Sequence, residues 1–246
     1  DSSAIPTYYL AQCARRAVKV AMSGDGGDEL FGGYYRHLAM RWADSYAGLP
    51  RGLRTGLLDP LLARWPSWLD VRQGRLSLRR FLRGLALSRR DRVLAWLEGF
   101  DGSAKQALCG PPTGEANGAW VHEDLDALWR RVEALDGVDA LAWVDFQWYL
   151  PSDLLVKMDI ASMAHGLEVR SPWLDHPLVE FAASLPASLK VRGTTLKYLP
   201  RRAWSRELPP AILARRKQGF AVPLAAWLRG PLQAWMRDLL MSPDAC

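Results

Sequence analysis

The sequence predicts a mainly helical chain of the α/β class, and three observations carry that prediction. A short apolar run, Val18 to Met22, is broken only by Lys19 and reads as a buried strand of a parallel sheet. A glycine-rich acidic turn follows it and precedes a helix. Almost everything else carries helical periodicity interrupted by proline.

In chain order, residues 4 to 17 read as a helix, with Ile5, Tyr8, Tyr9, Leu10 and Cys13 clustered on one face. The Val18–Met22 run and the segment Ser23 to Tyr34 come next. Residues 35 to 100 read as helical, with breaks at Pro50, Pro60, Pro66 and Gly74. Residues 101 to 119 hold Asp-Gly, Pro-Pro, Thr-Gly and Asn-Gly pairs and form the clearest loop. An amphipathic helical pattern returns over 120 to 150, and residues 151 to 246 alternate short helices with proline breaks. No internal repeat is present.

Bulk composition narrows the function class. The 246 residues are 49% hydrophobic, enough for a sizeable core. Cys13, Cys109 and Cys246 lie far apart, with no CxxC and no Cys/His cluster, which excludes a disulfide framework or zinc site and fits a reducing cytoplasm. No apolar run is long enough to span a bilayer. Net charge is +6, and residues 51 to 92 alone hold eleven Arg against Asp59, Asp70 and Asp91. Such a patch can bind nucleic acid, but no base-stacking module accompanies it, and it reads as a solvated helical surface. Trp65, Trp68 and Phe81 beside it read as packing residues.

The turn Ser23-Gly24-Asp25-Gly26-Gly27-Asp28-Glu29 is the chemical centre of the sequence. Its glycines permit positive φ and close backbone approach to a ligand. Successive N–H groups at a helix start bind anions, and the Ser23 hydroxyl adds a donor. No Gly-Lys-Ser/Thr ending is present, so it is no Walker A loop. Three carboxylates beside a polyphosphate would repel it unless a cation intervenes, and carboxylate oxygen is the hard ligand Mg²⁺ prefers. The turn therefore reads as a Mg²⁺-nucleotide contact.

The full string SGDGGDELFGGY (Ser23 to Tyr34) resembles the second nucleotide motif of asparagine synthetases, members of the PP-loop ATP pyrophosphatase group. The resemblance continues through Tyr149-Leu150-Pro151-Ser152-Asp153 to Asp159, Ala161 to His176, Leu196-Lys197-Tyr198-Leu199, and Arg216-Lys217-Gln218-Gly219-Phe220 to Pro223. The motifs stand in family order over nearly the whole chain, apart from the arginine-rich 51 to 119 region. Ile160, Ser171 and Trp173 depart from the usual pattern. The fold this implies is the C-terminal portion of a PP-loop parallel-sheet domain. One partial synthetase domain would fill 1–246: strand and nucleotide turn over 1–34, a helical arginine-rich region over 35–119, and a helical substrate region over 120–246.

The resemblance also implies the chemistry. ATP and Mg²⁺ would be the cofactors; aspartate, and ammonia released from glutamine, the substrates. Aspartate is joined to AMP with release of pyrophosphate, and ammonia then attacks the aspartyl-AMP. Ser23, Gly24 and Gly26 would contact ATP, and Asp28 would hold Mg²⁺. Asp25 would sit beside the intermediate with Glu29 near it. Lys197 matches the catalytic lysine that offsets charge at the α-phosphate. Arg216 and Lys217 would hold departing pyrophosphate, and Asp153 the substrate ammonium. By residue type alone Asp153 and Asp175 read as helix caps, Glu168 with Arg170 as a structural ion pair, and His37, His122, His165 and His176 as histidines without a catalytic partner.

Two family parts are absent from the sequence, the Ser-Gly-Gly-x-Asp-Ser first loop and the N-terminal glutaminase domain with its amino-terminal cysteine. The chain, opening on Asp1, is expected to be a piece of a longer protein, inactive alone. That glutaminase domain is its expected partner, a homodimer is allowed, and nucleic acid and membrane are not expected partners. The alternative acceptors are other carboxylates, in cell-surface polysaccharide, lactam or peptide synthesis.

Overall fold

The computed structural model describes residues 1–54, 56, 78–97, 106–108, 110, 119–215, 219–220 and 222–242. Pro60, Pro66, Gly74, Trp65, Trp68, Cys109, Cys246, Arg216 and Lys217, with most of the arginine-rich stretch and of the 101–119 loop, lie outside them. The described residues are mostly helical with a small parallel sheet, as an α/β reading requires. They fall into two compact units, one formed by Asp1–Ser23, Asp153–Arg170 and Lys217–Cys246, the other by Gly24–Ser152 and Ser171–Arg216.

In the first unit β1 (Val20–Met22) pairs in parallel with β2 (Glu168–Arg170), in register Val20 to Glu168 and Met22 to Arg170. The parallel pairing matches expectation; β2 is a strand the sequence reading missed. Its three residues alternate charge and apolarity, too short a pattern to separate from a turn. Glu168 and Arg170 form the expected ion pair at 2.7 Å, exposed on one face of β2. Burial of β1 is not observed: Met22 is 72% exposed, because a two-stranded sheet supplies no second layer to cover it.

The helix Ala4–Arg15 agrees with the predicted element, but its inward face differs. Ile5, Tyr8, Tyr9, Leu10 and Cys13 are exposed, while Thr7 and Ala11 are buried. Small side chains one turn apart let the helix Val156–Met163 approach closely, with Ala161 and Ser162 buried on its own surface. Arg15 Nε donates to the Gly166 carbonyl at 3.0 Å, and Lys157 pairs with Asp1 at 3.1 Å.

The second unit holds the core. Helices Tyr35–Ala47, Arg89–Leu97, Ala119–Val132 and Gly137–Val144 enclose Met40, Val93, Trp96, Leu125, Trp129, Leu141 and Val144. Asp136 caps Gly137–Val144, its side chain accepting from the Val138 N–H at 2.8 Å. Asp145–Leu155 continues as a π-helical stretch containing Pro151. A second cluster, Leu30, Phe31 and Ala182 with Trp173 and Leu199 against it, lies beneath the acidic turn. Trp96 and Trp129 are core residues, whereas Trp42, Trp204 and Trp235 are exposed.

Candidate functional site

The acidic turn takes its shape from two glycines in the left-handed region. Gly26 (φ +85°) starts the helix Gly27–Phe31 and Gly32 (φ +64°) ends it. A side chain at Gly26 would overlap Leu174, and at Gly27 it would meet the Trp173 indole at 3.2 Å. Trp173, which also packs edge-on to Phe31 (5.4 Å) and Trp204 (5.6 Å), is thus the floor of the turn. Ser171 Oγ donates to the Asp25 carbonyl at 2.5 Å. Ser171 and Trp173, two of the departures noted in the sequence, therefore both touch the turn. The helix has only five residues, so its dipole is small, and phosphate affinity here would rest on loop N–H groups and on cations.

Cationic charge comes from far along the chain. Lys197 Nζ lies 2.9 Å from Asp28 Oδ1. Lys197 has φ +52° and ψ +44°, and among the described residues it is the one non-glycine with positive φ. That conformation costs a non-glycine about 1 kcal/mol and persists only where the surrounding contacts hold it. Gly33 makes the contact possible: a Cβ there would overlap Asp28 Oδ1 and come within 2.5 Å of Lys197 Cε.

Glu29, next to Asp28, is only 1% exposed. The Tyr34 hydroxyl donates to its Oε1. Burial raises the Glu29 carboxyl above its ordinary value, and the Tyr34 bond offsets only part of that. Burial, then the neighbouring Glu29, push the Tyr34 phenol up, so it remains a neutral donor.

Behind Tyr34 lies a polar cluster the sequence reading did not find. Asp145 Oδ2 accepts from Arg36 Nε at 3.0 Å and from His37 Nε2 at 2.9 Å, all three side chains buried. Burial would raise the Asp145 carboxyl, but the Arg36 guanidinium and the His37 bond outweigh it and hold it low. Burial likewise pulls Arg36 down, and Asp145 more than restores it. His37 thus has a structural partner in Asp145 that the sequence did not reveal. The two lie 108 positions apart, and no motif joins them.

The remaining site residues divide between the units. Gly24, exposed, Asp25, Gly26, Asp28, Glu29 and Lys197 belong to the second, and Ser23 and Asp153 to the first. The Ser23 N–H donates to the Arg170 carbonyl at 2.8 Å, extending the β-ladder. Asp153 is half-buried inside the π-helical stretch and caps no helix, because Val156–Met163 is preceded by Leu155. Asp175 does stand at the cap position of His176–Ser184, without a side-chain bond.

A divalent cation at Asp28 fits the donor set present. Among the described residues no group of three His, Cys, Asp or Glu side chains can hold a metal. Asp28 is a single carboxylate beside a glycine that leaves space for it, and Mg²⁺ characteristically takes one or two carboxylates and completes its shell with phosphate oxygens and water. Among the described residues no helix is long and apolar enough to cross a membrane.

The family model described as asparagine synthase matches residues 1–245. The glutamine-hydrolysing asparagine synthetase 1 of Bacillus subtilis is 31% identical over 98% of this chain, which covers 36% of that protein. A relative from Mycobacterium tuberculosis is 35% identical over 100% of the chain, again 36% of its own length. The glutamine-hydrolysing asparagine synthetase 3 of B. subtilis is 29% identical over 92% of the chain and 30% of its own length. The chain thus spans about a third of the length of the curated relatives it matches. No solved structure matches it.

Proposed function

The chain belongs to the asparagine synthase family, and we propose that it carries part of the site where aspartate is adenylated by ATP and then amidated. The observation that carries this reading is the Lys197–Asp28 pair, 2.9 Å apart. Two sequence motifs remote from one another bring a lysine and a carboxylate together on a glycine turn. That is the charge pattern an acyl-phosphate reaction needs.

The step joins two anions, so cations must lower the repulsion between the carboxylate and the α-phosphate. Asp28 is the residue that would hold Mg²⁺, which would supply positive charge to the phosphates. Lys197, held by its left-handed backbone beside Asp28, would offset charge developing on the α-phosphate with its ammonium. Gly24 and Gly26, with Ser23, would admit the nucleotide against the backbone. Asp25, its carbonyl held by Ser171, presents a half-buried carboxylate beside the turn, where the aspartyl-AMP would form. Glu29 stands one position from Asp28 and is held off solvent. Asp153 would meet the substrate ammonium, and Arg216 and Lys217 the departing pyrophosphate. Ammonia would come from glutamine through a glutaminase domain, as the names of the relatives suggest. The fold is read as part of a PP-loop sheet, and the chain as one partial domain, with a homodimer allowed.

The test uses a protein that carries this chain at the relatives' full length. Labelled pyrophosphate should exchange into ATP only with aspartate and Mg²⁺, and Lys197→Ala should abolish the exchange. Exchange supported by another carboxylate alone moves the chain to a different acceptor. No exchange with any carboxylate, from folded protein, overturns adenylation.

A further inference from the structure

We propose that Tyr34 is a positioning residue for the Glu29 carboxylate, and that the buried Arg36–His37–Asp145 cluster exists to hold Tyr34. This rests on the reading that Glu29 belongs to the site.

His37, Arg36 and the neighbouring Tyr149 each hold Tyr34 by a different part. The Tyr34 backbone N–H donates to His37 Nδ1 at 3.3 Å. The Arg36 guanidinium lies over the Tyr34 ring, 3.8 Å from its centre, and over the Tyr149 ring at 4.6 Å. Tyr149 meets the Tyr34 ring edge-on at 5.9 Å. Backbone, ring face and ring edge are thus all fixed, and the hydroxyl is delivered to Glu29 Oε1.

The hydrogen bonds also assign the histidine tautomer. Nδ1 accepts from a backbone N–H, so the proton sits on Nε2 and is donated to Asp145. Both ring nitrogens are engaged, leaving His37 no free nitrogen for acid–base work. Arg36 and Asp145 neutralise one another, which leaves geometry as the cluster's output. Stability alone is a weak reason for such a cluster, because well-packed apolar side chains of similar volume do as well as a buried ion pair. The cluster instead secures, through the Tyr34 hydroxyl, the orientation of a buried carboxylate one position from Asp28. A short side chain misplaced by an ångström is enough to cost a large rate factor.

The experiment is a double-mutant cycle in a protein carrying this chain at the relatives' full length. Aspartate-dependent pyrophosphate exchange is measured for wild type, Tyr34→Phe, Glu29→Gln and the double variant, with unfolding midpoints alongside. Tyr34→Phe is expected to lower kcat roughly tenfold, with KM for ATP and aspartate unchanged within about twofold. The double variant is expected to match Glu29→Gln alone, because Tyr34 acts only through Glu29. Asp145→Asn is expected to add nothing to Tyr34→Phe; should it not fold, the Tyr34 cycle decides by itself. Wild-type kcat in Tyr34→Phe overturns the proposal, as does an equal loss with and without Glu29, since a general structural role behaves that way. Wild-type kcat in Glu29→Gln removes Glu29 from the site and the proposal with it. No exchange from folded wild type overturns the adenylation reading itself, an outcome distinct from active enzyme indifferent to Tyr34.

Discussion

His37 Nε2 lies 2.9 Å from Asp145 Oδ2, both side chains buried, with Arg36 bonded to the same oxygen. Asp145 is held below the usual carboxylate range despite its burial, chiefly by Arg36. A carboxylate lowered on folding contributes stability that is fully present above its unfolded value of about 4 and is lost as pH falls through the folded value. Asp145→Asn leaves Arg36 buried without its counter-charge, and should cost about 3–5 kcal/mol at pH 7. Urea unfolding at pH 7 and below pH 4 checks both statements. Equal midpoints for variant and wild type at pH 7 would remove the cluster from the stability account.

Glu29 has the opposite sign. Its carboxyl is raised by burial, so the folded chain holds this proton more tightly than the unfolded chain does. Its contribution is therefore favourable below the ordinary carboxylate value of about 4.3 and is lost as pH rises through the folded value. Glu29→Gln, which keeps an acceptor for Tyr34, should stabilise the chain at pH 8 by about 1 kcal/mol, with the gain vanishing in acid. Activity should fall in the same variant, the trade expected where a site keeps a strained group. Thermal melts at pH 8 and pH 4 read the difference; destabilisation at pH 8 contradicts it.

Lys197 has φ +52°, and the same trade applies to its backbone. Lys197→Gly should be more stable than Lys197→Ala by about 1 kcal/mol, since only glycine adopts this conformation without cost. Both should lack pyrophosphate exchange. Equal denaturation midpoints for the two would mean the left-handed conformation is not retained in the protein.

Gly33 leaves the space in which Asp28 meets Lys197. Gly33→Ala puts a methyl group on the Asp28 carboxylate and must part the pair. Exchange should drop by at least about tenfold while the fold survives. Gly26→Ala combines positive φ with overlap on Leu174, and should cost about 2 kcal/mol in unfolding free energy as well as activity. An active, stable Gly33→Ala would detach the ion pair from function.

Much of the helical architecture was readable from periodicity and proline spacing, and the turn from its glycines and acids. Their causes act within a few residues. Which face of a helix is buried was not readable. Thr7 and Ala11 are buried while Tyr8, Tyr9 and Leu10 are not, because the approach of Val156–Met163 selects small side chains over apolar ones. β2 escaped notice for a related reason: Glu168–Arg170 is a strand because β1 offers it hydrogen bonds. Asp153 reads as a cap by residue type, and the π-helical run through Pro151 leaves it no helix start to serve.

By itself the sequence determined the family, the glycine turn with Asp25, Asp28 and Glu29, and the distant lysine at 197. Those follow from motif order and local backbone demands. Only the tertiary structure decided that Lys197 lies on Asp28, and that Ser171 and Trp173 support the turn. It alone joined Tyr34, Arg36, His37 and Asp145 into one buried network. The physical reason is that a hydrogen bond or ion pair in the interior depends on distance and desolvation, and residues 109 positions apart carry no local mark of the contact they will make.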